Sequence, residues 1–285
     1  MILECFQPTV ARAEQLAGQD PASALAALRE LPLDDFGLLL LDMPRADLPA
    51  LSAVLPRMAD PQVQRNWTGS DGITLLGQSL SFVRIVSRAY TELTGKTLHQ
   101  KRILDFGVGW GRLVRLMYHY SDPDLIHGCD PWDLSLDICR KDGLLCHLAQ
   151  SDYLPTSLPF EGRFDLIYAF SVFTHLSQRA TASALAVLER HLAAEGVLVV
   201  TIRPLEYWNV HQPLEQAERD RLMALHRSAR FAYRPHNRDA VDGDVTYGDT
   251  SMAFDWLQEQ VPGLRIRRFD RSLTDPFQLI VTLTR

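Results

Sequence analysis

Between Ile103 and Gly111 the chain reads Ile-Leu-Asp-Phe-Gly-Val-Gly-Trp-Gly, an apolar run closed by a carboxylate and then glycine at every second position. Glycine takes positive φ without steric penalty, and a backbone without Cβ admits another group at close range. Such a stretch fits a strand that stops at the carboxyl edge of a sheet and turns sharply into a helix. The rest of the chain keeps to that plan: from Arg102 onward short apolar runs alternate with amphipathic stretches, the pattern of a parallel sheet covered by helices. Strands are predicted over residues 103–106, 125–130, 145–148, 164–170, 197–202, 264–269 and 277–283. Helices are predicted over 111–120, 133–141 and 178–194, the last with Leu185, Leu188 and Leu192 facing inward, and Gly143 and Gly196 are read as the stops of the second and third. Only a few residues around Thr274, Asp275 and Pro276 separate the last two strands, too few for a crossover helix, so these strands are expected as an antiparallel hairpin. The fold class is α/β: a seven-stranded, mostly parallel sheet with an antiparallel last strand and helices on both faces.

The first hundred residues have a different pattern. Asp20-Pro21 pairs a side-chain cap with a residue that needs no N–H, and Leu25, Leu28 and Leu31 then recur on one face. The same device is read at Asp47-Leu48-Pro49. A long helix is predicted over 71–94, where Leu76, Leu80, Val83, Val86, Tyr90 and Leu93 make a stripe and Gly95 supplies the stop. Residues 1–98 are therefore expected as a helical extension. Between 204 and 250 lies a charged and aromatic insertion without clear strand alternation, the kind of excursion that covers a site.

Composition narrows the function classes. A net charge of −6 gives no general attraction to a polyanion, so nucleic acid is not expected as a partner. Cys5, Cys129, Cys139 and Cys146 lack C-x-x-C spacing and read as reduced thiols of a cytoplasmic protein. The opening residues 1–5 have no basic stretch before an apolar run, and no window approaches the length of a membrane span, so neither secretion nor a membrane is expected. The nine histidines show no H-x-x-x-H pair, and no metal is predicted.

A glycine-rich turn leaving the first strand suits an adenine cofactor, because the helix start is expected to offer unpaired N–H groups. A dinucleotide fingerprint with Gly107 and Gly109 as its first two glycines requires a third at Arg112, where a side chain obstructs helix–strand packing. A Walker loop is excluded because no Gly-Lys-Ser or Gly-Lys-Thr comes after the turn. Instead Asp105-Phe106-Gly107-Val108-Gly109-Trp110-Gly111 resembles motif I of the class I S-adenosylmethionine-dependent methyltransferases. The resemblance covers residues 102–203 well and 250–285 in architecture. It implies a Rossmann-like sheet, S-adenosylmethionine as cofactor, and a methyltransferase domain over 99–285 whose 204–250 insertion covers the acceptor, with 1–98 as lid.

The resemblance also assigns roles. Asp105 lies where it meets the cofactor's ammonium, with Phe106, Gly107, Val108, Gly109 and Gly111 against the nucleoside. Asp130, ending the second strand, is placed for the ribose hydroxyls, although the same residue also suits a helix cap. Pro131 and Trp132 come next, and Trp132 packs either on the adenine or on the sheet edge. Asp152 resembles the acidic residue that meets the adenine amino group, beside Ser151 and Tyr153, while Phe170 and Ser171 belong to the exit of the fourth strand. Trp67, in the polar and aromatic stretch 64–70, is a candidate cover for the methionine end or part of an ordinary helix-start turn. His175, just past the fourth strand, is the candidate base, since methyl transfer to a hydroxyl requires loss of a proton; the alternative is a histidine satisfied by packing. The run Arg227, Arg230, Arg234 and Arg238 suits an anionic acceptor group or a solvated face. At 169–172 Ala-Phe-Ser-Val replaces the Asn-Pro-Pro-Tyr of many amino-group methyltransferases. The expected activity is methyl transfer to a small-molecule or glycan acceptor, with a hydroxyl as the preferred site. The competing readings are a non-catalytic S-adenosylmethionine-binding partner protein and a nicotinamide-dependent oxidoreductase.

Overall fold

The computed structural model describes residues 2–211 and 214–285; Met1, and Gln212 and Pro213 of the expected insertion, lie outside the described residues. The backbone forms two compact units, Met1–Ala149 and Gln150–Arg285. Nine strands are described: β1 (Ile103–Phe106), β2 (Ile126–Asp130), β3 (His147–Gln150), β4 (Phe164–Ala169), β5 (Leu192–Ile202), β6 (Phe231–Pro235), β7 (Gly248–Met252), β8 (Arg265–Ser272) and β9 (Asp275–Thr284). Seven of them make one sheet in the order β3-β2-β1-β4-β5-β9-β8, and β6 pairs with β7 in a second. The β1–β2 and β4–β5 pairs are parallel, whereas β9 runs antiparallel to both β5 and β8. The antiparallel last strand is thus the short-loop hairpin that the sequence implied.

In the first unit six helices precede β1: α1 (Gln7–Ala17), α2 (Pro21–Leu28), α3 (Leu33–Leu41), α4 (Pro49–Val54), α5 (Pro61–Thr68) and α6 (Gly72–Thr94). Asp20 caps α2 by accepting from the N–H of Ala22 at 3.1 Å and of Ser23 at 3.2 Å, as its position before a proline requires. The parallel expectation at Asp47 is corrected. Asp47 turns to Arg45 at 2.9 Å, and Glu14 of α1 supplies the cap instead, taking the N–H of Ala50 at 2.7 Å and of Leu51 at 2.8 Å. The orphan donors of a helix start need only an acceptor within reach, and a neighbouring helix provides it. The stripe of α6 is buried through Leu76, Leu80, Val83, Val86 and Tyr90, and the helix ends at Gly95 with φ 69°. Two further helices, α7 (Arg112–Met117) and α8 (Asp133–Lys141), flank β2 in sequence. The regular part of α7 is shorter than the expected 111–120 and gives way to turns, with His119 N–H on Leu116 O at 3.2 Å and Tyr120 N–H on Met117 O at 2.9 Å. Arg115, fully buried, donates to Trp110 O at 2.6 Å and to Arg57 O at 3.0 and 2.6 Å, tying α7 to the segment before α5.

In the second unit α9 (Gln178–His191) stops before the predicted residue 194, because Leu192 already belongs to β5. Gly196 therefore does not close the helix. It lies inside the strand at a register irregularity where β4 passes so close that a Cβ would stand 2.9 Å from Phe164 O. The third strand starts at His147 rather than 145, and β8 runs on to Ser272 beyond the predicted 269. The described part of the insertion holds α10 (Tyr207–Val210), α11 (Gln216–Ala229), β6 and β7, and α12 (Phe254–Gln260) comes after it. Its strand β7 escaped the sequence pattern because Gly-Asp-Thr-Ser-Met is polar, yet all five residues are buried.

Candidate functional site

In the first unit the turn after β1 is built by three glycines in the left-handed region, Gly107 at φ 81°, Gly109 at 54° and Gly111 at 77°. Gly111 is more confined than Gly109. A Cβ there would stand 2.4 Å from Leu144 Cδ2 and 3.0 Å from Arg115 Nη1. Gly111→Ala combines that overlap with the strain of a non-glycine residue at positive φ, and the expected loss of stability is about 2 kcal/mol, read from the urea midpoint.

The hydrogen bonds of the turn engage the donors ahead of α7. The N–H groups of Gly107 and Val108 both donate to Cys129 O, at 2.8 and 3.0 Å, and that of Gly111 goes to Val108 O at 2.9 Å. The N–H of Gly109 goes to Asp130 Oδ2 at 3.0 Å, while Asp130 Oδ1 accepts from Trp132 N–H at 2.9 Å. These donors serve the turn itself rather than a phosphate, and a pyrophosphate depends on such donors. What the turn presents instead is carboxylate: Asp105 is buried at 2% exposure at the end of β1, and burial raises the Asp130 carboxyl against the opposing pull of its backbone hydrogen bonds. Carboxylates fit a ligand carrying an ammonium, a sulfonium and ribose hydroxyls, which is the chemistry of S-adenosylmethionine. Cys139 donates to Gly109 O at 3.2 Å, and burial pushes its thiol up to about 12, so it acts as a neutral brace.

Trp67 joins this group. It lies in α5, so the stretch 64–68 is helix and only Gly69, with φ 79°, makes the turn. The Trp67 ring stacks on Trp132 at 5.0 Å and 20°, and its Cζ3 lies 3.9 Å from where a Cβ on Gly109 would stand. Asp105, Phe106, Gly107, Val108, Gly109, Gly111, Asp130, Pro131, Trp132 and Trp67 are thus gathered at the carboxyl ends of β1 and β2.

In the second unit Ser151 is buried, and its Oγ has no hydrogen-bond partner among the described residues, whereas Asp152 and Tyr153 are exposed. Phe170 is half-buried after β4, and Ser171 sits at φ 59° with its N–H on Thr201 Oγ1 at 2.7 Å. Thr201 Oγ1 in turn donates to Gln278 Oε1 at 2.8 Å, so β5 and β9 together hold a non-glycine residue in the left-handed region.

His175 is held by β7. Its Nδ1–H donates to Gly248 O at 2.8 Å, its backbone O accepts from Gly248 N–H at 2.7 Å, and Tyr247 stacks on the ring at 5.0 Å. Arg203 Nη2 points at Nε2 from 3.4 Å. Burial and then the Arg203 charge lower the imidazole to about 4. His175 is therefore a neutral ring of fixed tautomer whose accepting nitrogen faces a cation, which makes it a weak proton acceptor near neutral pH.

The centre of this region is a residue that sequence patterns do not reveal. Asp249, 5% exposed, accepts from Arg203 Nη1 at 3.1 Å, Tyr207 Oη at 3.1 Å and His236 Nε2 at 2.9 Å, with His211 Nε2 at 3.3 Å. Burial opposes its charge, but the hydrogen bonds from His211 and His236 and the charge of Arg203 hold the carboxyl well below the usual range. Strand periodicity sends Asp249 and Ser251 to this side and Thr250 to the other, where its Oγ1 meets Leu176 O. The alternation is present in the sequence, but apolar residues do not mark it. Of the arginine run, Arg230 pairs with Glu259 at 2.6 Å, so only Arg234, 3.5 Å from His211 Nε2, and Arg238, 4.3 Å over the Tyr247 ring, approach the cluster. Among the described residues, no three His, Cys, Asp or Glu side chains are grouped to hold a metal ion.

Residues 103–196 match the family model described as a methyltransferase domain. The matched segment contains the β1 turn and is similar to a methyltransferase domain over those residues. No curated protein matches the chain in sequence. Solved structures resemble it in fold: the CcbJ methyltransferase from Streptomyces caelestis at 16% identity and TM-score 0.51, over 79% of this chain and 95% of that one. An S-adenosylmethionine-dependent methyltransferase from Clostridium acetobutylicum ATCC 824 aligns at 13% identity and TM-score 0.50, over 78% and 96%. Among the described residues no helix is long and apolar enough to cross a membrane.

Proposed function

We propose that the enzyme transfers the methyl group to a hydroxyl of a small-molecule or glycan acceptor. The observation that carries this reading is the Asp249 cluster, where a buried carboxylate, Arg203, Tyr207 and three histidines form a hydrogen-bonding environment suited to a polar acceptor that must give up a proton. The Ala-Phe-Ser-Val exit of β4 in place of Asn-Pro-Pro-Tyr supports oxygen over the amino groups of bases and amides, and the net charge of −6 supports an acceptor other than nucleic acid.

On the cofactor side, Asp105, Gly107, Val108, Gly109, Gly111, Asp130 and Trp132 would hold S-adenosylmethionine, with Phe106 and Pro131 shaping the turn and Trp67 covering it. Ser151, Asp152, Tyr153, Phe170 and Ser171 complete the proposed set. The bound cofactor supplies a methyl group already activated by the sulfonium, so the protein's work is to orient the acceptor, exclude water and move one proton. The four free thiols support a cytoplasmic location.

Titration calorimetry with S-adenosylhomocysteine is expected to give micromolar or tighter binding, with none for NAD. Incubation with methyl-labelled cofactor and a panel of phenols, saccharides, amines and oligonucleotides is then expected to label hydroxyl compounds. Label carried only by amines or oligonucleotides sinks the acceptor assignment and leaves the cofactor in place.

A further inference from the structure

The three histidines around Asp249 differ in what each ring can do with a proton. His175 gives its Nδ1–H to Gly248 O at 2.8 Å and turns Nε2 toward the Arg203 guanidinium, so protonating it would set two cations side by side. His211 has both nitrogens engaged, Nδ1 at 2.5 Å from Tyr207 Oη and Nε2 at 3.3 Å from Asp249. His236 is arranged otherwise. Its Nε2 lies 2.9 Å from Asp249 Oδ2, and because an ionised carboxylate only accepts, the proton sits on Nε2 and the lone pair on Nδ1. Among the described residues nothing is hydrogen-bonded to that Nδ1. The His236 side chain is also the most open of the three, 39% exposed against 18% for His175 and 17% for His211. Its ring stands edge-on to Tyr247, with centroids 5.5 Å apart.

A carboxylate that fixes the tautomer of an imidazole and offsets the charge it acquires is the arrangement by which proteins make a histidine an effective base. We infer that His236 is the general base of the methyl transfer and that Asp249 is its positioning residue, an inference that rests on the hydroxyl-acceptor reading above. The acceptor oxygen forms its new bond to the methyl carbon with its own lone pair, and the carbon–sulfur bond breaks with its electrons going to sulfur. The O–H proton passes to His236 Nδ1, leaving an imidazolium against Asp249. In this reading His175, expected from sequence as the base, serves as a fixed wall between Arg203 and Tyr247.

The first test needs no substrate. Diethyl pyrocarbonate attacks an imidazole through an exposed lone pair, and peptide mass spectrometry at pH 7 is expected to find His236 modified at least ten times faster than His175 or His211. Equal or slower modification of His236 overturns the assignment. In the second test, His236→Gln is expected to bind S-adenosylhomocysteine within twofold of wild type while methyl transfer to hydroxyl acceptors falls about 10²–10⁴-fold. Wild-type turnover in that variant also overturns it. A wild-type chain that binds no S-adenosylhomocysteine is a different failure, that of the cofactor reading, and if the panel holds no acceptor the labelling rates alone decide.

Discussion

Asp130→Ala is expected to weaken S-adenosylhomocysteine binding by about 10²–10³-fold in titration calorimetry. The carboxylate is charged with two tasks. Toward the protein it holds the turn, accepting from Gly109 at 3.0 Å and Trp132 at 2.9 Å. Toward the ligand its remaining lone pairs are those proposed to receive the ribose hydroxyls. A hydrogen bond to a charged acceptor contributes about 1.5–3 kcal/mol, so losing two to the ligand corresponds to about 10²–10⁴-fold, and the prediction is the lower part of that span because water replaces the lost partner. Asp130→Asn does not separate the two tasks. One amide oxygen can accept from only one side, and its NH₂ would face either Gly109 N–H or Trp132 N–H, so the isosteric change disturbs the turn as well and is expected to cost nearly as much as alanine. Melting curves with and without ligand distinguish the causes. A variant that melts like wild type but no longer gains stability from ligand has lost the ribose contact, and one that retains affinity within threefold refutes the assignment of Asp130.

How much of this is legible in the sequence depends on what marks each element. Apolar runs such as Ile103–Phe106 and the stripe on α6 announce themselves by burial, and Gly107, Gly109 and Gly111 by their spacing, which is why the sheet and the turn can be foreseen. The strand β7 cannot, because its buried side chains are an aspartate, a threonine and a serine that satisfy polar partners rather than an apolar core. Arg203 and Asp249 are hidden for the same reason. Forty-six residues separate them, and only the hairpin of β6 and β7 brings the second to the first. His175 is visible at its position after β4, but its chemistry is set by Gly248 and Arg203, which no local pattern connects to it. The helix caps show the same limit: Asp20 caps its own helix and can be read locally, whereas Glu14 caps a helix that starts 35 residues later and cannot.

The dependence of the second unit on Asp249 leads to the other large prediction, that Asp249→Asn lowers stability at pH 7 by about 3–5 kcal/mol, the range for removing one partner of a buried ion pair. Arg203, 15% exposed, would keep its charge and lose the carboxylate that offsets it, and His236 would lose the acceptor for its Nε2–H. The melting temperature should fall by about 10 °C. Acid acts on the same cluster in two stages. Asp249 has a depressed folded pKa, so its contribution is complete above the unfolded carboxyl value of about 3.9 and disappears only as the pH drops below that, through the folded value. His175 titrates earlier. Its folded value is about 4 against 6.5 in the unfolded chain, so between those limits the unfolded chain takes up a proton that the folded one refuses, and stability declines as the pH falls. His127, lowered to about 4 by burial and by Arg102, adds an equivalent decline in the first unit. Each full shift corresponds to about 3 kcal/mol. Urea midpoints of the wild type should therefore drop between pH 6.5 and 4, before Asp249 itself is protonated, and His175→Gln should flatten that slope by roughly half. A wild-type midpoint that stays level down to about pH 4.5 would show that His175 and His127 take up protons in the folded state, and an Asp249→Asn midpoint equal to wild type at about pH 7 would show that the cluster holds without its carboxylate.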